Sequence, residues 1–184
     1  MAVFAARPRR ARQHLAEQID TLIASGRDCA SSHPGRSRSL FKQAELLARE
    51  ISYFAGLSAA LQRLAWLDLA AGELDQAFQR ASEASFIVSA QKISDWPSAF
   101  GACFVINNVH GQVGRFAEAE AGWHRLLDLT HIHSDELRRA DALDELGRLR
   151  IAQGQLRDAL NLRFAALNIL EKHADDNVPI VLNN

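Results

Sequence analysis

Three glycines constrain the fold of this chain more than any other feature. Gly72, Gly114 and Gly154 lie 42 and 40 residues apart, each in the same surroundings. Ahead of the first comes Leu61-Gln-Arg-Leu64-Ala65, and after it Leu74, Ala77, Ala81 and Ala84. Around the second stand Cys103, Ile106 and Asn107, then Phe116, Ala119, Trp123 and Leu126. The third has Leu143, Leu146 and Gly147 before it, and Leu156, Ala159, Arg163 and Ala166 after it. A repeat of this length is a supersecondary unit that cannot bury its apolar face alone.

The spacing inside the unit says what that element is. Leu61, Leu64, Ala65 and Asp68 follow the i, i+3, i+4, i+7 pattern of one helix face. The glycine ends the helix, because it enters the left-handed region without a steric penalty. A large apolar residue follows two places later, and small residues then recur at steps of four and three. Small residues on one face let two helices approach closely, so each unit is an antiparallel helical hairpin. Boundaries are marked as well. Ser94-Asp95-Trp96-Pro97 reads as a cap with proline in the first turn of a helix. Ser134-Asp135-Glu136 places a cap and acids where the helix dipole favours them, and Asp175-Asp176-Asn177 before Pro179 repeats the theme.

Upstream, residues 9–25 and 38–54 read as two more helices joined by a loop from Gly26 to Ser37. Ala48-Arg-Glu-Ile-Ser52 echoes Ala90-Gln-Lys-Ile-Ser94, again 42 residues apart. Residues 9–57 are therefore expected to form a degenerate first hairpin, as terminal repeats often do. Residues 1–8, with Arg7 beside Pro8, are expected to be a disordered end. At the other end, residues 179–184 match the start of a further unit and stop. The expectation is about nine helices, the last interrupted, in a fragment of a longer protein.

These residues resemble the tetratricopeptide repeat in its long form, with units of about 40 residues instead of about 34. Residues 140–178 match best, through Leu143, Leu146, Gly147, Leu156, Ala159 and Ala166. Residues 58–99 keep the small positions Ala65, Ala77 and Ala84 but carry polar Asp68 where a large residue is favoured. Residues 100–139 depart most, with Asn107 and Leu126 at positions usually small. The resemblance implies an all-α, TPR-like α-solenoid of antiparallel hairpins, wound as a right-handed superhelix. It also implies a binding groove lined by the first helix of each hairpin. Carried over, the groove residues are Gln62, Trp66 and Leu69, then Phe104, Asn108 and Gln112, then Asp141, Asp144, Arg148 and Ile151. Such a groove is apolar and aromatic at one end and charged at the other, which suits an amphipathic helix or an extended peptide. Only Asn108 and Arg148 stand where some family members clamp a peptide's terminal carboxylate, so that mode is not expected.

Other chemistry finds little support. The net charge of −1 gives no electrostatic case for nucleic acid or an acidic membrane as partner. Two cysteines, Cys29 and Cys103, cannot build a disulfide framework, so a reducing cytoplasmic setting is expected. No phosphate loop, nucleophile elbow or zinc helix motif occurs. His131 and His133, with His110 and His124, have loose metal-type spacing and read better as loop or surface histidines. Asp141, Asp144 and Glu145 beside Arg148 suggest acid–base chemistry, yet Glu145 and Arg148 are also an ordinary i, i+3 ion pair. Trp66, Trp96 and Trp123 with Phe100, Phe104 and Phe116 suggest either an aromatic cage or core packing. No cofactor or metal is expected, and this segment is not expected to be an enzyme.

The functional expectation is a protein- or peptide-binding regulatory or scaffold module. The long-form resemblance points to the N-terminal sensory region of a bacterial signalling protein, ahead of a diguanylate cyclase or transcription-regulator domain. Two alternatives use the same surfaces: a sensor of small molecules or peptide signals, and a homodimerisation module.

Overall fold

The structure is a computed structural model that describes residues 9–176. These residues form eight consecutive helices and, among them, no strand. The helices are α1 (Arg9–Asp28), α2 (Pro34–Glu50), α3 (Phe54–Ala70), α4 (Leu74–Ala90), α5 (Trp96–Gln112), α6 (Phe116–Ile132), α7 (Glu136–Ala152) and α8 (Leu156–Asp176). The fold is all-α and of the solenoid class. The further unit expected at residues 179–184 lies outside the described residues, as do residues 1–8.

One turn, used six times, accounts for this regularity. From α2 to α7 every helix is 17 residues long. Each of the six connections from α2 to α8 places one residue at positive φ: Ser52, Gly72, Lys92, Gly114, Ser134 and Gly154. The residue after it donates its N–H to a carbonyl five residues back, as in Glu73 to Asp68 (2.8 Å), Arg115 to His110 (2.8 Å) and Gln155 to Arg150 (2.8 Å). Tyr53, Ile93 and Asp135 repeat the bond to Ala48, Val88 and Thr130. This Schellman geometry satisfies carbonyls that a helix end would otherwise leave bare. Inside each hairpin the special residue is glycine. Between hairpins it is serine or lysine, at a cost of about 1 kcal/mol each for the Cβ. The left-handed positions step by 20, 20, 22, 20 and 20 residues. The one longer step holds two extra residues before α5, where Asp95 Oδ1 accepts the Ser98 N–H at 3.3 Å and Pro97 occupies the first turn. At α7 the cap is Asp135, whose carboxylate accepts the Arg138 N–H at 3.1 Å, while Ser134 is the left-handed residue.

The long loop expected from Gly26 to Ser37 is much shorter. α1 continues through Gly26 to Asp28, and α2 starts at Pro34. Gly26 serves close packing here: a Cβ on it would lie 2.5 Å from the ring of Phe41. Ser37 Oγ then donates to the Gly26 carbonyl at 2.8 Å and ties the two helices. Likewise α2 ends at Glu50, and Phe54 opens α3.

The chain divides within α5 into two compact units, Met1–Ile106 and Asn107–Asn184. In the first, α1 to α4 pack neighbour on neighbour, and α1 also touches α3. Its core runs through Ile19, Phe41, Leu57, Leu61, Leu64 and Ile87, with Ala44, Ala48, Ala60 and Ala84 as the close-approach positions. Asp68, the polar departure from the repeat pattern, is fully buried. It accepts hydrogen bonds from Arg38 of α2 and Arg80 of α4, so one carboxylate on α3 links three successive helices. An unpaired carboxylate there would be prohibitively costly to bury; two guanidiniums, each about a quarter exposed, make it tolerable.

In the second unit α6 packs on α7 and α7 on α8. Trp123, Leu126, Leu146 and Leu149 fill its core. Asn107, at a position expected to be small, is 5% exposed. The compensation lies on the facing helix, at Gly122, where a Cβ would come within 1.9 Å of Asn107 Oδ1. Large and small have exchanged sides.

Candidate functional site

Each unit presents its own set of the residues expected to line a groove. In the first unit the set is aromatic. Trp66 of α3 is 37% exposed and stacks on Phe104 of α5, with centroids 4.8 Å apart and planes 25° apart. Phe104 and Phe100 are both nearly buried, at 5.8 Å, and Phe100 meets Trp96 edge-on at 5.5 Å. The α5 aromatics recur every four residues, which puts them on one helical face. They form a continuous row in which Trp66 is the exposed end. One face of its indole is covered by Phe104, so the row is a braced platform and not an open cage. Such stacking adds about 1 kcal/mol beyond simple burial and fixes the ring's orientation.

Leu69 is half-buried beside this platform. Gln62 is not part of the surface. It is 4% exposed, and its amide fills the space that Gly101 leaves, a Cβ there lying 2.4 Å from Nε2. On its other side Trp66 borders a hollow of about 260 Å³ that Arg27 and Arg63 also line, together with Phe41 and Leu67.

The second unit carries the charged set. Asn108 and Gln112 of α5 line a hollow of about 240 Å³ with Glu145 and Arg148 of α7, over a floor of Trp123 and Leu149. Arg148 is exposed and pairs with Glu145 at 3.2 Å. Partial burial pushes the Glu145 carboxyl above its usual range, against the opposing pull of Arg148. Beside it, Asp144, Arg148, Ile151 and Ala152 border a second hollow of about 460 Å³. Its remaining wall is Arg163 of α8, which the groove assignment omitted. The Arg163 side chain crosses Gly147, where a Cβ would sit 2.7 Å from its Cγ, and binds Asp144 at 2.8 Å. Arg163 and Gly147 were both visible as repeat positions, but only their pairing across α7 and α8 brings a second-helix residue to the first-helix surface. Asp141 is exposed one turn earlier, on the rim of an apolar hollow against α8.

The histidines do not converge. Among the described residues no group of three or more His, Cys, Asp or Glu side chains is placed to hold a metal. His124 lies 3.8 Å from Glu120, whose main partner is Arg150 at 2.5 Å, and His131 and His133 are exposed near the end of α6. Trp123 is 2% exposed and belongs to the core. Of the acidic cluster, Asp144 and Glu145 each pair with an exposed arginine. No described helix is long and apolar enough to cross a membrane.

No protein-family model matches the chain, and no curated protein matches it. Among solved structures it is similar to the crystal structure of BtubC (BKLC) from P. vanneervenii, a helical-repeat protein. The two share 20% identity with a TM-score of 0.60, over 92% of this chain and 77% of that one. At this identity the likeness speaks for a helical-repeat fold and for nothing beyond it.

Proposed function

We propose that this chain is a tetratricopeptide-like interaction module that binds a protein or peptide through the first helices of its hairpins. The observation that carries this reading is the exposed indole of Trp66, stacked on Phe104 at a position that the repeat resemblance assigns to the groove. A pre-oriented aromatic gives up little freedom on binding and is a common centre of binding energy. The second unit adds polar side chains, Asn108, Gln112, Asp144 and Arg148, around its hollows. Among them Arg148 carries a fixed charge able to select an acidic group on the ligand. In this reading the chain is a bacterial regulatory or scaffold segment in the cytoplasm, and the long-form repeat suits the sensory region of a signalling protein.

A displayed random-peptide library panned on the purified protein tests this. Enrichment should be strong on the wild type. It should fall at least tenfold on the Trp66→Ala, Arg148→Glu double variant, with helical content unchanged by circular dichroism. Equal enrichment on the two proteins would sink the proposal.

A second reading draws on the hollow of about 460 Å³ walled by Asp144, Arg148 and Arg163, which is of ligand size. A sensor of small charged molecules would be stabilised in a thermal-shift screen of metabolites, and the Arg163→Ala variant would lose that gain.

A further inference from the structure

One hollow of the first unit carries cations and no acid. It measures about 260 Å³ and is lined from α1, α2 and α3, with Arg27, Phe41, Arg63, Trp66 and Leu67 in its walls. Its side chains are apolar or aromatic apart from the two guanidiniums, and no Asp or Glu is among them. The hollows of the second unit differ, since Arg148 meets Glu145 and Arg163 meets Asp144 within their own walls. Nearby carboxylates do not make up the lack. Asp68, next in sequence to Leu67, is fully buried and taken by Arg38 and Arg80. Asp28, next to Arg27, is exposed and outside the lining, because successive helical residues do not share a face. The Arg27 guanidinium makes no hydrogen bond or ion pair among the described residues.

Both aromatic walls are fixed in advance. Phe41 packs so closely on Gly26 that a Cβ there would lie 2.5 Å from its ring, and Trp66 is stacked on Phe104. The volume falls below the range of about 300 to 1,000 Å³ usual for small-molecule sites, so a single ring suffices to fill it. A flat apolar body stacks on an indole, and a guanidinium offers a carboxylate two parallel N–H donors. An apolar floor with unneutralised guanidiniums beside it therefore suits a ligand that joins a ring to an acid. We propose that this hollow binds a small aromatic carboxylate, with its ring against Trp66 and Phe41 and its acid on Arg27 and Arg63. The site goes beyond the peptide reading and shares only Trp66 with the groove.

Ligand-observed NMR on the purified protein, with benzoate as the probe, is the test. Benzoate should bind with a dissociation constant of about 1 mM or tighter. Benzamide has the shape without the charge, and acetate the charge without the ring. Each should bind at least about tenfold more weakly. Arg27→Gln and Arg63→Gln should each weaken benzoate binding about tenfold and remove the preference over benzamide. Arg148→Gln, in the other unit, should bind benzoate as the wild type does. Circular dichroism checks that each variant keeps its helices, and Arg27 is exposed, so its replacement leaves the fold intact. A wild type that ignores benzoate overturns the proposal. So does benzamide binding equally well, an Arg27→Gln variant that matches the wild type, or an equal loss in Arg148→Gln. If benzoate fails while Arg27→Gln weakens a library-selected peptide, the hollow belongs to the peptide groove and the proposal falls.

Discussion

Asn107 and Gly122 show how a single residue can depart from its repeat and still fit. The asparagine sits where a small residue is usual, and its Nδ2 is buried without a hydrogen-bond partner. Leaving such a donor unmet costs about 1–3 kcal/mol. Gly122→Ala should therefore destabilise the protein by about 2 kcal/mol, because the new methyl has no room beside the carboxamide. Asn107→Ala should cost little, since it trades lost packing against a removed orphan. The two changes together should recover most of the Gly122→Ala loss, a coupling that a double-mutant cycle by urea denaturation would read directly. Additive losses would refute the packing account.

Glu145 makes a pH prediction of definite sign. Its folded carboxyl titrates above the usual range because burial disfavours the charged form. Such a group favours the folded state while protonated, and that contribution is lost as pH rises through its folded value. Relative to the wild type, Glu145→Gln should therefore gain stability above about pH 4.3 and lose that advantage at lower pH. The measurement is a series of thermal melts on both proteins from acid to neutral pH. The gain at neutral pH should be modest, offset in part by the lost pair with Arg148.

At the scale of elements, the turn explains both what was legible and what was not. Gly72, Gly114 and Gly154 announced three helix ends, and acids and proline marked the starts of α5 and α7, although the cap of α7 is Asp135 and not Ser134 as its sequence suggested. Ser52, Lys92 and Ser134 adopt the same left-handed geometry and gave no such sign, since neither residue type prefers it. Only the 20-residue rhythm betrays them. The misjudged stretch after Gly26 has a related cause. A glycine inside a helix and one ending it look alike until the partner is known, and that partner, Phe41, lies on the next helix. Lys92→Gly should raise stability by up to about 1 kcal/mol, and Gly114→Ala should lower it by about as much, by urea denaturation. Opposite signs for two changes at equivalent turns are what the shared geometry requires.

At the scale of the molecule, periodicity revealed the hairpins because the repeat is local. Contacts in such an array run mainly between neighbours, so sequence spacing maps onto packing. The binding surface was less legible. Trp66, Asn108, Gln112 and Arg148 are exposed or half-buried, while Phe104, expected beside them, is buried against Trp66. Gln62 is buried as well, because whether a polar side chain on α3 is exposed depends on Gly101, which lies in the following hairpin. Arg163 entered the surface for the converse reason, reaching over Gly147 from α8. Pairwise fits of large against small are set across helices and leave no periodic trace.

The central claim is that ligands meet the first helices of the hairpins. Hydrogen exchange of the protein, with and without a saturating peptide from the library selection, tests it most directly. The account predicts added protection concentrated in α3, α5 and α7, with α4 and α6 little changed. Protection centred on α4 and α6, or none at all on binding, would contradict it.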